Sequence, residues 1–242
     1  MLRERYLELL NQDGALLRTA AERDLDAPVP SCPGWTARDV VTHTAEVYEH
    51  KLACVALAGE KPDPWPPEWP ADRDPLEWFD DAHTRVVAML RETDPAAPSW
   101  TWWPADQTAG FWVRRMAQET AMHRVDTELA SGASTPIDAE LAVDGIDEVL
   151  MLMFAGDWTG DEEPELTGTV AVAAPARRWT IRMSPDLVDV EEAEQEVEAT
   201  VAGEPSPLLL WLYGRAPIDV VSVYGSADVV DRLRARLAIA TR

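Results

Sequence analysis

The spacing of apolar residues changes once along this chain of 242 residues, and that change constrains the fold more than any other feature. Up to about residue 155, apolar side chains recur every three or four positions, as on one face of a helix; further on they alternate, as in strands. The acidic stretch GDEEPE, residues 160–165, separates the two parts. The sequence therefore predicts two domains, a helical one over residues 1–157 and an α+β one over residues 165–242.

The first part is predicted to form a helical bundle. Helical spacing and chain breakers place helices at residues 2–21, 36–58, 75–93, 111–130 and 138–154. The first four suggest an up-and-down four-helix bundle, in which ligand sites are built from inward side chains of facing helices. The fifth is expected to pack against the bundle or between the domains. Two long aromatic loops, residues 61–74 and 94–110, are candidates for the rim of a site.

Two helix starts carry recognisable capping signals. Thr36 and Asp39 resemble a capping box at the start of the second helix, and Asp74 followed by Pro75 predicts the start of the third. In the second part, alternating patterns predict a hairpin of residues 167–174 and 177–183, then strands at 187–193, 195–203 and 218–225, with helices at 206–215 and 226–240. These strands are expected to form one sheet.

Charge excludes some partners. The chain has 44 acidic and 21 basic residues, a formal charge of -23, which repels phosphate backbones and anionic membrane surfaces. The longest strongly apolar run, residues 208–213, is far shorter than the ~20 residues that span a bilayer, and the first residues lack a secretory signal pattern. Cys32 and Cys54 have no paired spacing and are expected to be free thiols. We expect a soluble, cytoplasmic monomer or dimer that binds neither nucleic acid nor membrane.

A metal site is one interpretation of the fourth helix. Glu119 and His123 stand four residues apart, on one side of a helix without Gly or Pro. Such a pair usually only stabilises a surface. However, His43 lies on the inward face of the second helix, between Val40 and Val47, where a bundle could bring it to the fourth helix. Two imidazoles and one carboxylate leave coordination positions open, as in catalytic metal sites.

The neighbouring polar residues have alternatives that the sequence leaves open. His50 could be a core residue, a substrate contact or a replacement ligand, and His83 is expected on the surface. Asp126 could orient the imidazole of a ligand, or pair with Arg124 or Arg115 on the surface.

Two segments carry a resemblance to a known family. CPGWTARDVVTHTAE, residues 32–46, and WVRRMAQETAMHRVDTE, residues 112–128, resemble the N-terminal domain of the mycothiol-dependent maleylpyruvate isomerase family, a branch of the DinB-like metal-binding four-helix bundles. The second half, with LLLWLYGR at residues 208–215, resembles that family's C-terminal domain, which is similar to sterol-carrier-protein folds. The resemblance covers nearly the whole chain.

The resemblance implies a set of site residues. A divalent metal, zinc in the isomerase, would be bound by His43, Glu119 and His123, with mycothiol as thiol cosubstrate. Gln118 departs from the pattern, since many relatives have His there; it is not a predicted ligand. The family also places a functional arginine in its C-terminal domain, and Arg215 is the match, although Arg177, Arg178 and Arg182 are available and Gly214 with Arg215 could merely cap a helix.

The expected function follows from these residues. We expect an enzyme, an isomerase or thiol S-transferase that acts on a small electrophile, with Arg215 holding a carboxylate across the cleft between the domains, because the helical domain is expected to offer few interior cations. Trp102 and Trp103 are candidates for lining the cofactor pocket, with a structural role as the alternative. The competing interpretations are a hydrolase that uses a metal-bound water, and a non-catalytic carrier whose C-terminal domain holds an apolar small molecule.

Overall fold

The structure is a computed structural model that describes residues 1–67, 73–158, 166–175 and 177–241. By its internal contacts the chain divides into two compact units, Met1–Thr135 and Pro136–Arg242. The predicted linker, residues 160–165, lies outside the described residues. Among the described residues, no helix has both the length and the apolar character needed to cross a membrane.

The first unit contains four helices: α1 Arg3–Ala21, α2 Ala37–Ala56, α3 Pro75–Glu92 and α4 Ala109–Ala130. Helix α4 packs against α1 and α2, and α3 packs against α1 and α2, which confirms the predicted four-helix bundle. Local sequence explains where two of these helices begin. The Thr36 side chain accepts a hydrogen bond from the Asp39 backbone while the Asp39 carboxylate accepts one from the Thr36 backbone, and Asp74 caps α3 ahead of Pro75.

Helix α4 is enclosed on most of its circumference, although its sequence is rich in charge. Arg115, Arg124 and Asp126 on this helix are 6%, 1% and 0% exposed. Arg124 lies 2.9 Å from a carboxylate oxygen of Asp13 and 2.8 Å from one of Glu128, so its charge is compensated inside the bundle. Buried charges persist only where such partners exist. The polar residues of α4 are therefore part of the interior rather than of a solvated face.

His83 on α3 was expected on the surface, and that expectation is wrong. Its half-buried ring stacks on Phe79 with 5.6 Å between ring centroids, and its Nε2 lies 3.3 Å from the carbonyl oxygen of Leu10 on α1. Gly14, on the same helix as Leu10, makes the close approach possible, because a Cβ there would lie 2.3 Å from His83 Nε2. Two aspartates that precede His83 on α3 made a surface position look more plausible from the sequence.

The second unit is an α+β domain, as predicted. Helix α5, Ala139–Glu148, continues into a π-helical turn, Val149–Phe154, and two further helices follow, α6 Pro205–Leu212 and α7 Ala227–Ala240. The strands are β1 Gly156–Asp157, β2 Gly168–Ala174, β3 Arg177–Met183, β4 Leu187–Glu191, β5 Ala199–Ala202 and β6 Ser222–Gly225. They form one sheet in the order β1-β4-β3-β2-β5-β6, in which only β2 and β5 are parallel neighbours. The predicted hairpin is β2–β3.

Helix α5 belongs to the second unit, whereas the sequence analysis included it in the range 1–157. It packs against α6, and the backbone N–H of Ile137 donates to Ser206 Oγ at 2.9 Å. The strand expected at 195–203 shortens to β5, since its first part contains two exposed glutamates, Glu196 and Glu198, and Glu is a poor strand former. The strand expected at 218–225 begins instead with a 3₁₀ turn, Ile218–Val220.

Candidate metal centre

Helices α2 and α4 bring the three predicted ligands together. The potential ligand atoms of His43, Glu119 and His123 all lie within 4.8 Å of one another. Glu119 Oε1 is 3.2 Å from His123 Nε2 and 3.6 Å from His43 Nε2. Ligand atoms bound at about 2.0–2.2 Å around one zinc ion lie roughly 3–3.5 Å apart, so this cluster needs only a small contraction to coordinate a metal.

The centre is open on the side of α2. The His43 side chain is 29% exposed, that of Glu119 19% and that of His123 11%. Trp35, which follows the turn before α2, contacts the His43 ring edge to face at 5.2 Å between centroids. Three protein ligands with one accessible side match sites that leave a coordination position for a substrate.

A chain of hydrogen bonds fixes His123. Its Nδ1 lies 3.0 Å from Asp126 Oδ2, and Asp126 Oδ1 accepts a hydrogen bond of 2.6 Å from Ser31 Oγ. A carboxylate only accepts, so the proton is on Nδ1 and donates to Asp126, which turns Nε2 towards Glu119. Of the two roles that the sequence left open for Asp126, the structure shows the orientation of this imidazole. Carboxylate partners of this kind tune metal ligands.

Arg115 fixes the other protein ligand. Its Nη2 donates to Glu119 Oε2 at 2.6 Å, while Glu119 Oε1 faces the two histidines. Burial alone would raise the pKa of Glu119, yet His123, His43 and Arg115 together hold the pKa well below its usual range. The carboxylate is therefore charged and has one oxygen directed into the centre.

His123 is held as a cation when no metal is bound. Burial would lower its pKa, but Glu119 and Asp126 outweigh burial and raise the pKa to about 9. A divalent cation in the same place would replace this proton and face the same carboxylate oxygen. The donor set, two imidazole nitrogens and one carboxylate oxygen, thus fits a metal chemically as well as geometrically.

His50 lies elsewhere on α2. His43, Glu119 and His123 are the one group of metal-ligand type found among the described residues, so His50 is not a replacement ligand in this arrangement. Its ring instead contacts Trp65 at 4.7 Å and Trp100 at 5.8 Å between centroids. The two long aromatic loops therefore meet at His50. Sequence reasoning named both loops but neither of these tryptophans.

Trp102 and Trp103 occupy the second of these loops. Trp102 is 39% exposed and packs edge to face on Phe111 at 5.2 Å between centroids, with Trp103 at 6.2 Å. Their assignment to a cofactor pocket stays a prediction.

The expectation of few interior cations in the helical part is wrong, since Lys51, Arg115 and Arg124 are all buried.

Arg215 closes helix α6 with its backbone. Gly214 has a φ of 76°, its N–H donates to Trp211 O at 3.0 Å, and the Arg215 N–H donates to Leu210 O at 2.8 Å, the pattern of a Schellman motif. The Arg215 guanidinium also donates to Tyr213 O at 2.8 Å. The capping role considered from the sequence is thus present, and the role as a carboxylate clamp stays a prediction.

The other candidate arginines of the second unit differ in their partners. Arg177 pairs with Asp147 at 2.7 Å and Glu192 at 2.6 Å, and Arg182 pairs with Asp189 at 2.6 Å. Arg178 donates to Thr200 Oγ1 at 3.3 Å. Arg177 and Arg182 are thus paired with carboxylates of the second unit, and their role as alternatives to Arg215 stays a prediction.

Comparison with known proteins agrees with the fold. The family model described as the mycothiol maleylpyruvate isomerase N-terminal domain matches residues 8–128, and the MDMPI C-terminal domain matches residues 140–232. No curated protein sequence matches significantly. A crystal structure of the mycothiol-dependent maleylpyruvate isomerase superimposes with a TM-score of 0.65 at 16% identity, covering 94% of this chain and 95% of that one.

A crystal structure of a histidine-to-alanine mutant of the mycothiol-dependent maleylpyruvate isomerase gives a TM-score of 0.64 at 14% identity, with the same coverage of 94% and 95%. At this identity the structural matches establish the fold. The two family models together span most of the sequence, and the segments that carried the resemblance lie within them. The chain belongs to the mycothiol maleylpyruvate isomerase family of enzymes.

Proposed function

We propose that this protein is a mycothiol-dependent enzyme that uses a divalent metal, zinc, to isomerise a small electrophilic acid or to transfer the thiol to it. Family membership supports dependence on mycothiol. The observation that carries the proposal is the convergence of His43, Glu119 and His123 within 4.8 Å. Nitrogen and carboxylate ligands in this number suit zinc with an open position.

The chain's own residues would have distinct roles at the metal. His43 and His123 offer Nε2, and Glu119 offers Oε1. Arg115 holds the second oxygen of Glu119, so that the carboxylate does not rotate away from the histidines. Asp126 keeps the proton of His123 on Nδ1, which leaves Nε2 available to the metal. The metal, when bound, supplies the positive charge that favours the thiolate form of a thiol, which is the nucleophilic form.

The proposed isomerisation needs little acid–base chemistry from the protein. The thiolate adds to one carbon of a cis double bond that is conjugated to a carbonyl group. The electron pair of the double bond moves onto the carbonyl oxygen as an enolate, so the former double bond becomes a single bond that can rotate. Elimination returns the thiolate and leaves the trans acid. A transferase would instead protonate and release the adduct. In both reactions a cation must hold the acid in place, and Arg215 is proposed for that role.

The test is mycothiol consumption by the purified protein with a panel of electrophiles, among them cis unsaturated acids. An isomerase changes the double bond without net loss of thiol, and an S-transferase consumes the thiol. We expect isomerisation or thiol consumption with the parent protein and with His83→Asn, which changes a control histidine outside the centre. We expect neither activity with His123→Ala. Hydrolysis of the electrophiles in the absence of mycothiol would instead support a metal-dependent hydrolase, and would contradict the proposal.

A further inference from the structure

A second polar cluster lies on α2 beyond the metal centre. We call it the lysine cluster; it consists of Lys51, His50, Trp65, Trp100 and Trp112. Lys51 Nζ lies 2.9 Å from His50 Nδ1, and it stands over the rings of Trp112 and Trp65 at 4.6 and 5.2 Å from their centroids. Each of these neighbours can stabilise a positive charge, His50 through a nitrogen lone pair and the tryptophans through the faces of their rings.

The charge of Lys51 is not paired with any carboxylate in the part of the chain that the structure describes. Its residue is only 9% exposed, and no carboxylate of the described residues lies within 4.0 Å of its ammonium group. This distinguishes Lys51 from Arg115 and Arg124, which are buried in the same bundle beside carboxylates. A buried ammonium that is surrounded by neutral groups is costly unless an anion joins it.

His50 can accept a hydrogen bond from Lys51 without carrying a positive charge of its own. Burial lowers its pKa most, and Lys51 and Lys61 lower it further, to about 4. The imidazole is therefore neutral at physiological pH, and Nδ1 can accept from the Lys51 ammonium. Trp65 is 47% exposed, so one wall of the lysine cluster borders solvent.

Lysine itself is rare in this protein. The sequence has two lysines, Lys51 and Lys61, among 21 basic residues, and both stand over tryptophan rings of the lysine cluster. Lys61 is exposed, at 5.5 Å from the centroid of Trp100. The other basic residues in this count are all arginines. A compact ammonium is thus found only at this place, where it can meet a single anionic group as a point charge.

The lysine cluster lies within reach of the metal centre. Lys51 follows His43 by eight residues on α2, a rise of about 12 Å, and helical side chains tilt towards the N-terminus, which here is the direction of His43. On α4, Trp112 and Glu119 are seven residues apart, a rise of about 10 Å. The charges of Glu119 and Arg115 both act on Lys51. An acid of a few carbon atoms could extend from one site towards the other.

We propose that Lys51 is the substrate-recognition residue of the helical unit, and that its ammonium binds the carboxylate of the small acid whose reactive carbon meets the thiol at the metal. This inference rests on the proposed function, in which the substrate is a small acid. It differs from the Arg215 clamp in placing an anion site inside the four-helix bundle.

The rarity of lysine gives a direct test. Protein labelled with ¹³C at lysine Cε and loaded with zinc should show two lysine signals, which Lys61→Gln assigns. The probe is succinate, a saturated dicarboxylate that cannot react with a thiol, and succinamide is its neutral control. We expect succinate to shift the Lys51 signal saturably and the Lys61 signal much less, while succinamide shifts neither. Equal shifts of both lysines, or none, would overturn the proposal.

The affinity of variants provides a second measurement. Lys51→Met keeps the length and packing of the side chain but removes the charge, so succinate should bind roughly ten- to a hundred-fold more weakly, the change typical of a lost hydrogen bond to a charged group. Lys61→Gln should alter affinity less than about two-fold, as an exposed charge does. If Lys51→Met binds succinate as tightly as the parent, the proposal is wrong. These readouts do not involve mycothiol, so failure of the enzymatic proposal would be seen separately.

Discussion

Arg115 donates a hydrogen bond of 2.6 Å to Glu119 Oε2, one helical turn away on α4, so the two carboxylate oxygens of Glu119 have different partners. The other oxygen, Oε1, lies 3.2 Å from His123 Nε2 and 3.6 Å from His43 Nε2. An arginine that is 6% exposed thus sets the rotamer of a candidate metal ligand. This fourth residue therefore positions one of the three candidate ligands.

Replacing Arg115 should therefore weaken metal binding without removing any ligand. We expect Arg115→Met to lower metal affinity roughly ten- to a hundred-fold, the usual effect of losing a group that orients a metal ligand. Affinity can be measured by competition with a chelator. The neighbouring Arg114→Met is the control, since Arg114 stands next to Arg115 on α4 but is less buried, and it should leave affinity within about two-fold. Equal affinities for all three proteins would show that Glu119 does not need Arg115.

Replacing Arg215 tests the carboxylate clamp. Arg215→Lys keeps the charge but loses the planar pair of donors, so kcat/KM for carboxylated electrophiles should fall roughly ten- to a hundred-fold while metal content is unchanged. Arg178→Lys is the matched variant in the same unit. Loss of activity in Arg178→Lys alone would move the clamp to Arg178. Unchanged kinetics in both would leave Arg215 with its backbone role at the end of α6.

Substituting Gly14 tests the packing of α1 against α3. Its Cβ would lie 2.3 Å from His83 Nε2 and 2.8 Å from Cδ2, and the ring cannot move freely because it stacks on Phe79. We expect Gly14→Ala to lower the free energy of unfolding by about 1–3 kcal/mol, as overpacking does. In a His83→Ala background the same change should be neutral or stabilising, because Ala is the better helix former. A similar loss in both backgrounds would contradict this account.

The ionisation of Lys51 should make stability depend on pH. Burial lowers its pKa most and Arg115 lowers it too, against Cys54 and Glu119, which gives about 8 compared with 10.5. Between these two values the unfolded chain binds more protons than the folded chain, so the parent gains stability as pH rises. Below pH 8 both states are protonated and the full penalty of the buried charge remains.

The corresponding measurement compares the parent protein with Lys51→Met. The free energy of unfolding of Lys51→Met should exceed that of the parent by most below pH 8, and the excess should shrink as pH approaches 10.5. Lys61→Gln, at an exposed lysine, should show no such trend. A difference between parent and Lys51→Met that stays constant over this range would mean that Lys51 titrates normally.

Local signals in the sequence predicted more of the fold than of the site's surroundings. The starts of α2 and α3 follow from short-range hydrogen bonds of Thr36, Asp39 and Asp74, which need no tertiary context. The three candidate ligands could be found because helical periodicity shows which face each residue shares, and because the family resemblance pointed to the same positions. For helix α5 the sequence left two packing partners open, because its apolar face does not identify what it packs against; the structure packs it on α6.

The residues that sequence reasoning missed depend on long-range packing. Arg115 and Lys51 look like surface residues in a chain of such high charge, and they are buried only because α4 and α2 pack against their neighbours. Trp65 and Trp100 lie in different loops and meet at His50 through tertiary structure. The presence of just two lysines, both near these tryptophans, was a signal available in the sequence.

The central claim is that His43, Glu119 and His123 hold a divalent metal, and elemental analysis of purified protein tests it most directly. The account predicts about one divalent ion per chain in the parent and in His83→Ala, because three converging ligands suffice for a catalytic-type site and His83 is not among them. It predicts that His123→Ala loses most of this metal. Equal metal content in His123→Ala and the parent would contradict the claim.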